Sequence, residues 1–61
     1  MNNSTKEIAD LLKERREELG LSKYRLSKIS GITYPTIIRA EQGKKGINMQ
    51  TFNKLANILG L

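Results

Sequence analysis

The chain has no cysteine, no histidine and no tryptophan. Without cysteine there is no disulfide framework, no thiolate nucleophile and no zinc–thiolate site. Without histidine, imidazole metal ligation and imidazole acid–base chemistry are excluded as well. Proline occurs once, and aromatic residues are limited to Tyr24, Tyr34 and Phe52. No apolar run exceeds two residues, Leu11-Leu12 and Ile37-Ile38 being examples, so nothing reads as a membrane span or signal peptide. Acid is scarce after the first third. Four bases stand against five acids through residue 20, then seven bases against Glu41 alone.

What remains is a small basic protein. Its 61 residues carry a net charge of +5. A length of that order allows one domain, residues 1–61, and buries only about 60% of the surface that the unfolded chain exposes. Hydrophobic residues make up 38% and charged residues 28%, values of a folded soluble protein rather than a disordered one. A basic two-thirds after a balanced first third points to a surface that faces a polyanion.

Glycine punctuates the chain. Gly20, Gly31, Gly43 and Gly60 each follow an amphipathic segment, as residues that end helices in the left-handed conformation do. Ser4, Ser22, Thr33 and Asn48 are the matching N-caps, and Glu7 completes a capping box with Ser4. The spacing predicts helices over about 5–19, 23–30, 34–42 and 49–59, and no sheet. The inward positions are Ile8, Leu11, Leu12 and Leu19 in the first helix, then Leu26 and Ile29 in the second. They continue with Ile37 and Ala40 in the third and Phe52, Leu55, Ala56 and Leu59 in the fourth. Pro35 falls in the first turn of the third helix, where a missing N–H costs nothing. Leu21 and Ile32, central in three-residue turns, should plug the core beneath them. The longer link, Gly43-Lys44-Lys45-Gly46-Ile47, is charged in its middle.

From Leu21 to Gly43 the sequence reads as a short helix, a turn opened by glycine, and a second short helix, which is the helix-turn-helix pattern. Leu26, Ile29, Gly31, Ile32 and Ile37 supply its small and apolar positions. Here the chain resembles the lambda-repressor-like, Cro/C1-type helix-turn-helix domains, the XRE family. The resemblance rests on Leu21-Ser22, Leu26, Gly31-Ile32, Thr36-Ile37, Glu41-x-Gly43, Lys44-Lys45 and the closing Phe52-x-x-Leu55-Ala56-x-x-Leu59-Gly60. It covers about residues 5–61. It implies an all-α, compact four-helix domain that lacks the fifth helix of many relatives. It also implies a cytoplasmic protein of phage, plasmid or bacterial origin that binds a near-palindromic DNA operator, usually as a homodimer, and acts most simply as a repressor. A structural ion pair between Arg16 and Glu41 is implied in the same way.

In such a motif the start of the second helix points at base edges in the major groove. The positions facing bases are Thr33, Tyr34, Pro35, Ile38 and Arg39. Tyr34 can donate from its hydroxyl or pack on a thymine methyl, Pro35 and Ile38 offer apolar contact, and Arg39 can grip a guanine with two donors. Pro35 and Tyr34 depart from the glutamine, serine or arginine common in the family. Ile38 also has a reading as packing for the third helix. Phosphate contacts fall to Ser22 and Lys23 at the start of the second helix, and to Thr36, Gln42, Lys44 and Lys45 around the third. Lys28 and Lys54 read as solvated. The run Gly43-Lys44-Lys45-Gly46 lacks the upstream glycine and the following hydroxyl of a phosphate loop. No serine or threonine has a base beside it, so neither enzyme activity nor a cofactor or metal is expected. The other class open to the sequence is a protein-interaction module or antitoxin component of the same fold, favoured by the apolar pair Pro35 and Ile38.

Overall fold

The computed structural model describes residues 4–44 and 46–61, in four helices: α1 (Ser4–Glu18), α2 (Lys23–Ser30), α3 (Tyr34–Gln42) and α4 (Met49–Leu59). The helical periodicity of the sequence accounts for all four. Ser22 starts α2 by accepting the Arg25 N–H at 3.0 Å. Asn48 starts α4 by accepting the Thr51 N–H at 2.8 Å. Each bond satisfies one of the free donors of a first turn. Thr33 precedes α3 in an extended conformation but makes no such bond. Its hydroxyl instead pairs with that of Thr36 at 2.8 Å. Ser4 already lies within α1 rather than before it, and the capping interaction expected of its side chain lies outside the described residues.

The core is Leu12, Leu26, Ile37, Ala40, Phe52, Leu55 and Leu59, with Ile8, Leu21, Ile32, Ile47, Ala56 and Ile58 packed against it. Each of α1 and α2 packs on both α3 and α4, while α1 and α2 scarcely meet. The turn residues Leu21 and Ile32 do plug the core as their positions suggest.

Three inward assignments are corrected. Leu11 is 52% exposed, Leu19 45% and Ile29 51%. α1 turns Ala9, Leu12 and Arg16 inward, a spacing of three and four that leaves Leu11 about 100° away, on the outer side. Leu19 stands at the very end of α1, directly after Glu18, its N–H still bonded to the Arg15 carbonyl at 3.0 Å, just before the left-handed Gly20, beyond the reach of the packed helices. In α2 the residues turned inward are Leu26 and Ser30, which rotates Ile29 to the surface. Ser30 fits beneath the turn because it is small and fully bonded. Its Oγ donates to the Ser27 carbonyl at 3.4 Å and accepts the Ile32 N–H at 3.1 Å.

Gly43 shows why α3 must end as it does. Its φ is +72°, and a Cβ there would lie 3.3 Å from Lys6 Cα. Only glycine combines the left-handed conformation with that close approach of α3 to the start of α1. The Gly43 and Lys44 N–H groups close the helix on the Ala40 and Arg39 carbonyls at 3.3 and 3.1 Å.

Candidate nucleic-acid interface

The site is built on α3, and what fixes α3 is a buried charge pair. Glu41 is one of the three buried residues of this helix, with Ile37 and Ala40. Arg16 of α1 donates Nε to Glu41 Oε2 at 2.7 Å and Nη2 to Glu41 Oε1 at 3.0 Å. Its remaining nitrogen, Nη1, donates to the Leu21 carbonyl at 2.7 Å. One guanidinium thus joins α1, the turn before α2, and α3. Arg16 is 7% exposed and Glu41 8%, so the planar fork meets the carboxylate away from water. The bond to Glu41 holds the Arg16 pKa above the usual guanidinium value, against the opposing effect of burial. No buried polar side-chain atom lacks a partner among the described residues.

With Ile37, Ala40 and Glu41 inward, the opposite side of α3 faces solvent. Thr33, Tyr34, Pro35, Arg39 and Gln42 are exposed. Pro35 stands in the first turn of α3, as expected. Ile38 and Thr36 are half-buried, at the two flanks of the outward side. The Thr36 hydroxyl is engaged with Thr33. The half-burial of Ile38 agrees with its reading as packing as much as with apolar contact.

Arg39 is exposed, and one of its terminal nitrogens lies 3.4 Å from where a Gly46 Cβ would stand. The guanidinium therefore lies beside Gly46 in the loop after α3. A side chain at Gly46 would meet it only at ordinary contact distance, and it is the φ of +94° that favours glycine there. Around the helix, Ser22 is exposed at the start of α2 with Lys23 half-buried beside it, and Lys44 is exposed just past α3. The Ser22 oxygen is occupied as a cap acceptor, which leaves its hydroxyl hydrogen and the first N–H groups of α2 for an anion. Lys45 lies outside the described residues.

A second arginine was not legible as a structural residue. Arg15 Nε donates to the Leu59 carbonyl at 2.8 Å, and Nη1 to Glu18 Oε1 at 3.2 Å. The last turn of α4 contains no base of its own. Its C-terminal carbonyls therefore take a cation from α1. The absence of any Lys or Arg in residues 55–61 was the available signal.

A helix-turn-helix with an acid-free outward α3 is the arrangement this geometry offers. Comparison with known proteins agrees. A family model described as helix-turn-helix matches residues 12–61. A relative from Methanothermobacter thermautotrophicus, described as an uncharacterized HTH-type transcriptional regulator, is 36% identical over 50 residues, spanning 82% of this chain and 72% of that protein. No solved structure matches the chain. No described helix is long and apolar enough to cross a membrane. The four-helix all-α architecture, the locked second helix of the motif and the match over residues 12–61 together place the chain in the Cro/C1-type helix-turn-helix family.

Proposed function

We propose that this protein is a sequence-specific double-stranded DNA-binding transcriptional regulator, most simply a repressor, with α3 in the major groove. The observation that carries the reading is the outward side of α3. It presents Pro35 and Arg39 to solvent, with Tyr34 exposed in the first turn on the side of Glu41, while its one acid, Glu41, is turned inward and bonded to Arg16. Such a side carries a fork suited to guanine and apolar groups suited to thymine methyls, with no exposed negative charge to repel a phosphate. Thr33 and Ile38 border it. Ser22, Lys23, Thr36, Gln42, Lys44 and Lys45 are the groups assigned to phosphates, which position the protein without reading sequence. The relative's description as a transcriptional regulator supports the same reading.

The protein binds as a homodimer in this proposal, through apolar groups near its C-terminal end such as Ile47, Met49, Ile58 and Leu61. The operator is then nearly palindromic, with half-sites about 34 Å apart or a multiple of that. Selection from random duplexes at about physiological ionic strength tests this. An enriched inverted repeat is the expected result. Binding without enrichment would remove the sequence-specific reading, and no binding at all would favour a protein-interaction module.

A further inference from the structure

The outward side of α2 differs from the rest of the surface. Ser22, Tyr24, Arg25, Lys28 and Ile29 line a shallow, open depression there. Tyr24 is 60% exposed and Ile29 51%, on a helix of eight residues. The Lys28 ammonium stands over the Tyr24 ring, 5.2 Å from its centroid. α2 contains no acid, and neither Arg25 nor Lys28 meets a carboxylate among the described residues. Exposed apolar surface interleaved with unpaired bases fits a partner that is acidic and partly apolar.

The outward side of α1 has that composition. Glu7, Asp10 and Glu14 are exposed there, spaced by three and four so that they share one side of the helix. None has an ion-pair partner among the described residues. Leu11, 52% exposed, lies in the same row, four residues after Glu7. Both helices pack inward on α3 and α4 and scarcely touch each other, so the two outward sides do not satisfy one another within one chain.

We propose that the outward side of α2 docks the outward side of α1 of a second copy of this chain. Tyr24 and Ile29 cover Leu11, while Arg25 and Lys28 meet Asp10 and Glu14. Solvated ion pairs of this kind add little affinity and are screened by salt. The apolar residues supply the affinity and the charges set the register. Each copy offers one surface of each kind, so in this proposal the contact is heterologous and runs on from copy to copy. Copies add head to tail, and this holds whatever α3 binds.

Sedimentation velocity of the whole chain without DNA, over a concentration series at low and high salt, tests the proposal. The parent is expected to grow past a dimer as concentration rises, less so at high salt. A Tyr24→Ser/Ile29→Ser variant and a Leu11→Ser/Glu14→Gln variant should each weaken this growth at least about tenfold, equivalent to 1.4 kcal/mol. All four positions are exposed, and circular dichroism verifies that both variants fold. An equimolar mixture of the two should regain association beyond either alone, because each supplies the surface the other lacks. A parent that never exceeds a dimer overturns the proposal. So does growth that survives both variants, or growth lost only on Met49→Ser or Leu61→Ser, which would assign it to the C-terminal end. Loss of DNA affinity in Arg25→Gln/Lys28→Gln, with a parent that does not assemble, would give this side of α2 to the phosphate backbone. No DNA enters the sedimentation experiment, so its failure is separable from failure of the DNA-binding reading.

Discussion

Both oxygens of Glu41 are taken by Arg16, at 2.7 and 3.0 Å, across 25 residues of chain. Glu41 is the only acid after residue 20 and is withdrawn from the surface that carries the proposed DNA contacts. The pair therefore sets the seating of α3 and clears its outward side of negative charge.

Removing one partner strands the other in the interior. Arg16→Met is expected to destabilise the fold by about 3–5 kcal/mol, the typical cost of breaking a buried pair. A domain of this size has only about 3–9 kcal/mol in total. Urea denaturation monitored by circular dichroism measures it. A double variant, Arg16→Met/Glu41→Leu, should recover much of the loss because no charge is left unpaired. The sign of the pH dependence follows from the raised Arg16 pKa. A group whose folded pKa lies above its unfolded value contributes fully below the latter and loses that contribution only as pH rises through the former. The Arg16 contribution is thus undiminished at neutral pH and is lost only as pH rises into strong alkali.

Arg15 closes α4 from outside. Arg15→Met should lower stability by about 1.5–3 kcal/mol, the usual range for a hydrogen bond to a charged group, with the lower end fitting a half-exposed site. Hydrogen exchange should show the loss concentrated in the last turn of α4. Uniform loss of protection would contradict a local closing role.

The caps make a sharper comparison. Ser22→Ala and Asn48→Ala each remove a bond to a first-turn N–H and should cost about 1 kcal/mol. Thr33 makes no such bond, so Thr33→Ala should cost clearly less. Thermal unfolding of the three variants side by side decides this, and equal losses would show that the Thr33 hydroxyl matters through its bond to Thr36.

How much of this was legible in the sequence depends on residue type. The left-handed glycines, the caps Ser22 and Asn48, and the inward Leu26, Ile37 and Leu55 were readable because they follow local rules of backbone and period. Leu11, Leu19 and Ile29 were misplaced because hydrophobicity alone does not fix the phase of a helix. Arg16 and Ser30 occupy inward positions that an apolar pattern leaves blank. The bond from Arg15 to Leu59 joins two elements far apart in sequence, and no local pattern announces it. The Arg16–Glu41 pair was available only through resemblance to the family.

The proposed DNA contacts separate into two kinds by experiment. Arg39→Ala should reduce discrimination at one base pair by about 1–3 kcal/mol while leaving the salt dependence nearly unchanged. Lys44→Ala should weaken all sequences alike and reduce the salt slope by about 0.9. Fluorescence anisotropy with matched and mismatched duplexes at several salt concentrations measures both. A slope unchanged by Lys44→Ala would exclude that residue from phosphate contact.

Arg15 and Arg16 adjoin in sequence but wait for different parts of the chain. Arg16 finds its carboxylate 25 residues later, and Arg15 finds its carbonyl 44 residues later. During synthesis, α1 therefore emerges with two cations that have Glu18 and Leu21 nearby but whose distant partners do not yet exist. The first becomes available once Glu41 has been made, the second only when Leu59 has. The opening helix is thus among the last parts of the molecule to reach its final set of bonds.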